Sequence, residues 1–166
     1  SGSFDAVLLM GPLYHLLDRE HRVQALREAR RAARPGGMVA AVTINRTAGW
    51  CDWLLWNAEG TVHSISVVES LRALKEGDLR YIVQDVFTTA YLHHPGEVAE
   101  EFADAGLGRP AQYAVQGFPG YIPELEAVID DDEVREHLLE GLRVLEAEPS
   151  LLGASNHVLT VANLPG

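Results

Sequence analysis

The chain has 166 residues, enough for one buried core and too few for two full domains. Its 24 acidic residues outnumber 13 basic ones and give a formal net charge of −11, which argues against a nucleic-acid partner. The sequence contains no stretch of 18 apolar residues, so a membrane span or membrane partner is not expected. A single cysteine, Cys51, and the lack of an apolar leader favour the cytoplasm.

The first 45 residues have the pattern of a strand, a helix and a second strand. Residues 4–10 are a mostly apolar run of Phe, Ala, Val, Leu and Met around Asp5, which predicts a strand buried on both faces, as in parallel sheets. Asp18 is expected to cap a helix that runs to Arg34, and "RPGG" (34–37) should end it. Residues 38–45 form the second predicted strand, so the unit is a right-handed parallel crossover. The apolar positions of the helix recur at helical spacing: Val23, Leu26, Ala29 and Ala33.

Basic residues are concentrated on this predicted helix. Six of the 13 fall between residues 18 and 35, and we expect them to form a solvated helix face. They are Arg19, Arg22, Arg27, Arg30, Arg31 and Arg34.

A less regular, tryptophan-containing insertion is predicted at about residues 46–91, with a helix near 67–75. Trp50, Trp53 and Trp56 follow one another at intervals of three and would share a helical face. They would either pack in a core or form the lid of an apolar substrate pocket.

The last part of the chain regains a regular pattern. Residues 94–108 predict a helix with Val98, Phe102 and Ala105 on one face and Gly106 as its cap. A strand is expected at 112–116, an acidic helical region at 124–148 with a break near 130–132, and a final strand at 156–164.

Side chains able to do chemistry follow the first two strands. Open α/β sheets bind ligands at the carboxyl ends of their strands, here residues 10–15 and 45–46. Gly11 permits close approach of a ligand, while Tyr14 and His15 supply a hydroxyl and an imidazole. The alternative is an ordinary connection in which His15 caps or packs.

Other motifs give weaker signals. Gly106, Gly108 and Ala111 fit G-x-G-x-x-A, but they follow a helix, so a phosphate loop is not expected. His93 and His94 lack partners at zinc-like spacing, and no metal site is predicted. Cys51 has no base nearby in the sequence and is interpreted as a structural thiol.

The segment "GSFDAVLLMGPLYHLLDREHRVQALREARRAARPGGMVAAVTINR" (2–46) resembles the second half of a class I S-adenosylmethionine-dependent methyltransferase. The shared pattern is a strand opening with F-D, a loop ending near L-x-H, a helix, R-P-G-G and another strand. "TAYLHHPGEVAEEFADAGL" and "EPSLLGASNHVLTVANL" are similar to later segments of small-molecule members of that family.

The resemblance implies a Rossmann-like α/β sheet with helices on both faces, truncated to strands four to seven, the last antiparallel. Residues 1–166 would be a single partial domain that lacks the family's Gly-rich cofactor loop. The implied cofactor is S-adenosylmethionine, and the implied partner is a small-molecule methyl acceptor. Such a fragment is expected to be weak or inactive alone.

Residue roles carry over only where the segment matches. Met10, Gly11 and Leu13 would border the cofactor, while His15 would act as a base and Tyr14 as an orienting donor. Arg46, Trp50 and Tyr121 are candidates for the acceptor pocket.

A second hypothesis is a non-catalytic assembly module. An unpaired edge at residues 4–10 would favour pairing with a second copy or another polypeptide. A homo-oligomer is therefore expected. A dehydrogenase-like nucleotide binder is the weakest alternative, because no phosphate loop is in place.

Overall fold

The computed structural model describes residues 2–58, 67–79, 89–122 and 124–166. Within these ranges the strands are β1 Phe4–Leu9, β2 Ala33–Ile44, β3 Asp78–Leu79, β4 Ala90–Tyr91, β5 Ala111–Ala114 and β6 His157–Asn163. The helices are α1 Pro12–His15, α2 Arg19–Ala32, α3 Ala48–Ala58, α4 Val67–Glu76, α5 Pro95–Asp104, α6 Leu125–Ile129 and α7 Asp132–Leu145. Short 3₁₀ turns lie at Phe118–Tyr121 and Leu152–Ala154.

The main sheet has the strand order β1-β2-β6-β5. β1 and β2 are parallel and joined through α2, as the sequence predicts. β6 runs antiparallel to both β2 and β5, so the predicted antiparallel closing pair is also confirmed. The chain has the predicted mixed α/β fold, in which the carboxyl ends of β1 and β2 lie at the same end of the sheet.

One face of the sheet is covered by α2 and α5, which pack against each other. Val23 and Leu26 of α2 meet Val98 and Phe102 of α5 in a core cluster that also includes Val39 of β2. The helical spacing of these residues predicted their burial, because one stripe of an amphipathic helix must face the sheet.

β1 differs from its prediction. The strand was expected to be buried on both faces, but Phe4 is 60% exposed and Leu8 is 59% exposed. Among the described residues its paired neighbour is β2 alone, so β1 is an edge strand. Only Val7 and Leu9 pack against the core cluster.

The "RPGG" segment also differs from its prediction. α2 ends at Ala32, two residues before Arg34, and residues 34–37 are an irregular part of β2. Phe4 pairs with Ala33 but Ala6 pairs with Met38, so the extra residues of β2 bulge out between these pairs. A Cβ on Gly37 would lie 2.9 Å from the Arg34 carbonyl and 3.0 Å from that of Asp5, which explains the glycine.

The middle of the chain adds a small second cluster. Ala73 of α4 packs with Leu79, Ala90 and Leu92, and Ile44 at the end of β2 lies against them. The predicted helix near 67–75 is confirmed as α4, whereas β3 and β4 were not predicted. Residues 59–66 and 80–88 of the predicted insertion lie outside the described residues.

The carboxyl-terminal half follows the sequence pattern closely. The predicted break near residues 130–132 separates α6 from α7, and Asp131 caps α7 by accepting bonds from the amides of Glu133 and Val134. Gly106, just past the end of α5, has φ +78°, the left-handed conformation expected of a helix-ending glycine. In the described ranges, no helix combines the length and apolarity needed to cross a membrane.

Candidate functional site

The loop after β1 turns sharply into α1. Gly11 has φ 145° and ψ −34°, a conformation that side-chain-bearing residues rarely adopt, and Pro12 begins the helix. A Cβ on Gly11 would lie 3.1 Å from the Tyr14 hydroxyl oxygen, so the backbone and Tyr14 already approach closely. Gly11 therefore allows both the turn and the position of Tyr14.

The five predicted residues of this loop differ in exposure. Met10 is 51% exposed, and His15 is also exposed, while Leu13 is fully buried in the core cluster. Tyr14 is half-buried, and its ring lies 4.6 Å from that of His15 at a tilt of 58°. Tyr14 and His15 thus form an aromatic pair at the mouth of the sheet, whereas the Leu13 side chain packs inward.

The end of β2 is held by side-chain bonds to the segment before β6. The buried Asn45 amide donates to the carbonyls of Leu152, at 2.6 Å, and Ser155, at 2.9 Å. The Thr47 hydroxyl donates to the Gly153 carbonyl at 2.6 Å. These bonds fix the start of α3 relative to the sheet.

Arg46, a predicted acceptor-pocket residue, is paired within the protein. Its guanidinium Nη2 lies 2.6 Å from each carboxylate oxygen of Glu97. Burial opposes ionisation of Glu97, but the backbone amide of His94 and the Arg46 guanidinium hold the pKa of Glu97 below its usual value. Arg46 therefore faces an internal carboxylate.

α3 carries the predicted tryptophans. The rings of Trp50 and Trp53 stack at 5.2 Å, and both residues are half-buried outside the core clusters. The side chain of Trp56 lies outside the described part of the chain. The stacked pair confirms that Trp50 and Trp53 share a helix face, while the choice between core packing and a pocket lid stays a prediction.

Tyr121 lies near Cys51 and Thr47 of the same region. Burial raises the pKa of the Tyr121 hydroxyl well above its usual value, and the Cys51 thiol adds to the shift. Its buried hydroxyl has no hydrogen-bond partner of normal geometry among the described residues. Burial also raises the pKa of Cys51 and of Asp52, so the thiol stays protonated and fits its interpretation as structural.

A buried polar cluster joins the two strand ends, and sequence reasoning missed it. Arg22 of α2 forms a 2.8 Å ion pair with Glu101 of α5, and its guanidinium carbon lies 3.7 Å above the Tyr91 ring centroid. The Tyr91 hydroxyl lies 3.3 Å from both Arg46 and Glu97. The sequence signal was the position of Arg22 four residues before Leu26, which places both on the apolar face of α2.

The two parts of the predicted site therefore share neighbours. α1 packs against β2 and β4, and Tyr91 of β4 contacts Arg46 at the end of β2. Tyr121 lies beside Cys51 of α3, the helix that also carries Trp50. Among the described residues, no group of three or more His, Cys, Asp or Glu side chains is placed to hold a metal ion.

The sequence of the loop and of the crossover around it has a known counterpart. Residues 1–41, which span β1, α1, α2 and most of β2, match a family described as "Methyltransferase domain". The match covers 41 of the chain's 166 residues. The resemblance to class I S-adenosylmethionine-dependent methyltransferases is confirmed on the strand-end loop that carries Tyr14 and His15.

Two solved structures similar to this chain are those of phosphoethanolamine N-methyltransferase 2 from Haemonchus contortus. The complex with S-adenosyl-L-methionine is 14% identical, with a TM-score of 0.45. The complex with phosphomonomethylethanolamine and S-adenosylhomocysteine is also 14% identical, with a TM-score of 0.41. Each match covers 99% of this chain and 34% of the other, so the chain spans about a third of those proteins. No curated protein matches the chain.

Proposed function

We propose that this chain belongs to an S-adenosylmethionine-dependent methyltransferase that acts on a small molecule. The observation that carries the proposal is the methyltransferase match of residues 1–41, whose loop after β1 displays Met10, Tyr14 and His15. A net charge of −11 favours a small or cationic acceptor over nucleic acid.

The residues beside β1 fit the sulfur-bearing part of the cofactor. Met10 offers an exposed, polarizable thioether, and Gly11 presents backbone without a side chain. Bound S-adenosylmethionine would supply an electrophilic methyl group on a positively charged sulfur. Met10 and Gly11 would line this region, and Leu13 would support it from the core.

Tyr14 and His15 would then handle the acceptor. The protein's main contribution to such a displacement is to hold the acceptor in line, which can supply much of the rate enhancement. The Tyr14 hydroxyl would orient the acceptor by a hydrogen bond, and the exposed His15 imidazole would accept the proton that the acceptor loses. Trp50 and Tyr121 would line the acceptor pocket, with Arg46 supporting it through Glu97.

The first test is calorimetric titration of the folded chain with S-adenosylhomocysteine. Micromolar binding that is weakened about tenfold or more by Gly11→Ala, and not by Gly108→Ala, would support the proposed loop. Both glycines have positive φ, so the control matches the backbone change. Absence of binding to the folded chain would agree with the expected weak or inactive fragment and would oppose an independent cofactor site.

The acceptor is tested on a version restored at its amino terminus with the first half of a class I methyltransferase domain, which supplies strands one to three and the Gly-rich loop. Methyl transfer to a panel of small amines, phenols and carboxylic acids should be detectable and should fall about 100-fold in His15→Gln, the typical share of a general base. A panel with no methylated product would contradict the small-molecule reading.

A second candidate function is assembly through β1. Its support is β1, which is paired with one strand, β2, among the described residues. β1 also exposes the side chains of Phe4 and Leu8. Exposed apolar edges pair readily with other strands. Light scattering at micromolar concentration should give a dimer or larger species, and a strictly monomeric mass would contradict this function.

A further inference from the structure

Arg22 is buried at the base of the loop that carries the proposed active-site residues. The residue is 2% exposed, although it belongs to the arginine run that the sequence predicted to be solvated. Its Nη1 donates to the carbonyl oxygens of Leu16 at 2.8 Å and Leu17 at 2.7 Å. Leu16 directly follows His15 and caps α1, so one guanidinium nitrogen holds the last turn of the loop.

The other side of the guanidinium is held by α5 and β4. Nε donates to Glu101 Oε1 at 2.8 Å, and the guanidinium plane lies over the Tyr91 ring. Glu101 is itself fully buried, and its second oxygen lies 3.6 Å from His93 Nε2, beyond hydrogen-bonding distance. Arg22 is therefore fixed at one end by α5 and fixes the loop at the other.

This arrangement is poorly explained by stability alone. Buried ion pairs are often no more stabilising than well-packed apolar residues of similar size, because both charges lose their hydration. The guanidinium, in contrast, serves three acceptors at once, because Nη1 donates to both loop carbonyls while Nε donates to Glu101. Arginine is the side chain whose fixed fork has that geometry.

We propose that Arg22 is a positioning residue that holds residues 10–17, and through them Tyr14 and His15, in the geometry needed for methyl transfer. This inference rests on the proposed function for its catalytic meaning. Its structural content, the tethering of the loop by Arg22, can be measured without cofactor or acceptor.

The experiment is hydrogen–deuterium exchange on the whole chain and its variants. Arg22→Lys keeps the buried positive charge but loses the fork. We expect amides of residues 13–17, including the Leu16 amide that bonds to the Leu13 carbonyl, to exchange about tenfold faster. Amides of β2 and β6 should be unchanged. The matched control is Arg19→Lys on the same helix, since Arg19 is exposed and pairs with Asp104 at 2.9 Å.

A double variant protects the test against simple unfolding. Arg22→Met with Glu101→Leu replaces both buried charges by apolar side chains of similar length, so the fold should survive. Faster exchange confined to residues 13–17 in this variant would support positioning. Normal protection of the loop in a folded double variant, or exchange that rises equally across the sheet, would overturn it.

Binding and activity separate this inference from the proposed function. If the parent chain binds S-adenosylhomocysteine, the double variant should bind about tenfold more weakly, and in an active extended enzyme kcat should fall more than KM rises. If neither ligand binding nor activity is found, the exchange result still decides whether Arg22 holds the loop. Unchanged binding and kcat in the double variant would contradict the catalytic meaning.

Discussion

At the scale of single residues, the least usual feature is a histidine buried without a hydrogen-bond partner. His93 is 1% exposed, and neither of its ring nitrogens has a hydrogen-bond partner among the described residues. Burial lowers its pKa, and nearby Glu101 opposes the shift without reversing it. The folded chain therefore favours neutral His93.

This burial predicts a loss of stability in mild acid. Below the unfolded pKa of about 6.5 the unfolded chain binds a proton that folded His93 resists, so unfolding becomes easier as pH falls toward the folded pKa. Urea denaturation between pH 7.5 and 5.5 should show a slope of up to about 1.4 kcal/mol per pH unit for each such histidine.

His157 is a second histidine that should contribute to this pH dependence. Burial also lowers its pKa, and its Nδ1 lies 2.8 Å from the Gln116 side-chain nitrogen. His93→Gln and His157→Gln should each flatten part of the pH dependence. A wild-type slope that survives both substitutions would place the effect elsewhere.

Gly11 gives a second prediction at this scale. Gly11→Ala must place a Cβ at φ +145° and 3.1 Å from the Tyr14 hydroxyl, so Tyr14 would move. We expect a loss of about 1–3 kcal/mol in the free energy of unfolding, together with a shift in Tyr14 fluorescence or NMR signals. Gly108→Ala, at φ +75° in open space, should lose stability without any change at Tyr14.

At the scale of elements, α5 links both halves of the site through its first turn. Glu97 accepts a bond from the His94 amide at 2.9 Å, and His94 Nδ1 accepts one from Gly96 at 3.2 Å, which together form a capping box. The same Glu97 carboxylate pairs with Arg46 at the end of β2. One side chain therefore caps the helix and orients the strand end.

Glu97→Gln should separate these two roles. The amide can still accept the capping bond but loses the charge that faces Arg46, and we expect a cost of about 1–2 kcal/mol in unfolding free energy. Since the folded pKa of Glu97 is lowered, this contribution is present above about pH 4.5 and is lost as pH falls through the folded value. Glu100→Gln, exposed on the same helix, should leave stability unchanged at neutral pH.

Element patterns explain how much the sequence could predict. α2 and α5 were predictable because Val23, Leu26, Val98 and Phe102 recur at the helical period that packing requires. The unpaired edge at β1 was also expected, but the exposure of its Phe4 and Leu8 side chains was not, since an apolar strand has the same composition whether one face or both are covered. Which faces are covered depends on elements that lie far away in the sequence.

The candidate site was predictable only as a location. Strand ends marked residues 10–15 and 45–46, and the first of these ranges lies within the family match. The Arg22, Tyr91 and Glu101 cluster was missed because its members come from three separate elements and no local spacing connects them. Tertiary contacts, here between α2, β4 and α5, are needed to reveal it.

At the scale of the whole molecule, the exposed edge strand β1 predicts that copies of the chain associate. Leu8 points to the face opposite Val7 and Leu9, so it is exposed on the strand that would pair with a second copy. Leu8→Lys should shift an oligomer toward monomer by at least tenfold in dissociation constant, because charge on an edge strand opposes pairing. Sedimentation of this variant beside Val144→Lys, which introduces the same charge at an exposed position of α7, would measure the shift.

The pairing of β2 with β6 has a consequence for the time course of synthesis. The Asn45 amide bonds to Leu152, 107 residues later, and β6 fills the space between β2 and β5. At about 5–20 residues per second, a ribosome would need roughly 5–20 seconds to deliver that partner after Asn45 is made. During this interval β2 has its parallel neighbour β1 but no strand on its other side. The nascent chain would therefore expose the edge of β2 that β6 covers in the folded sheet.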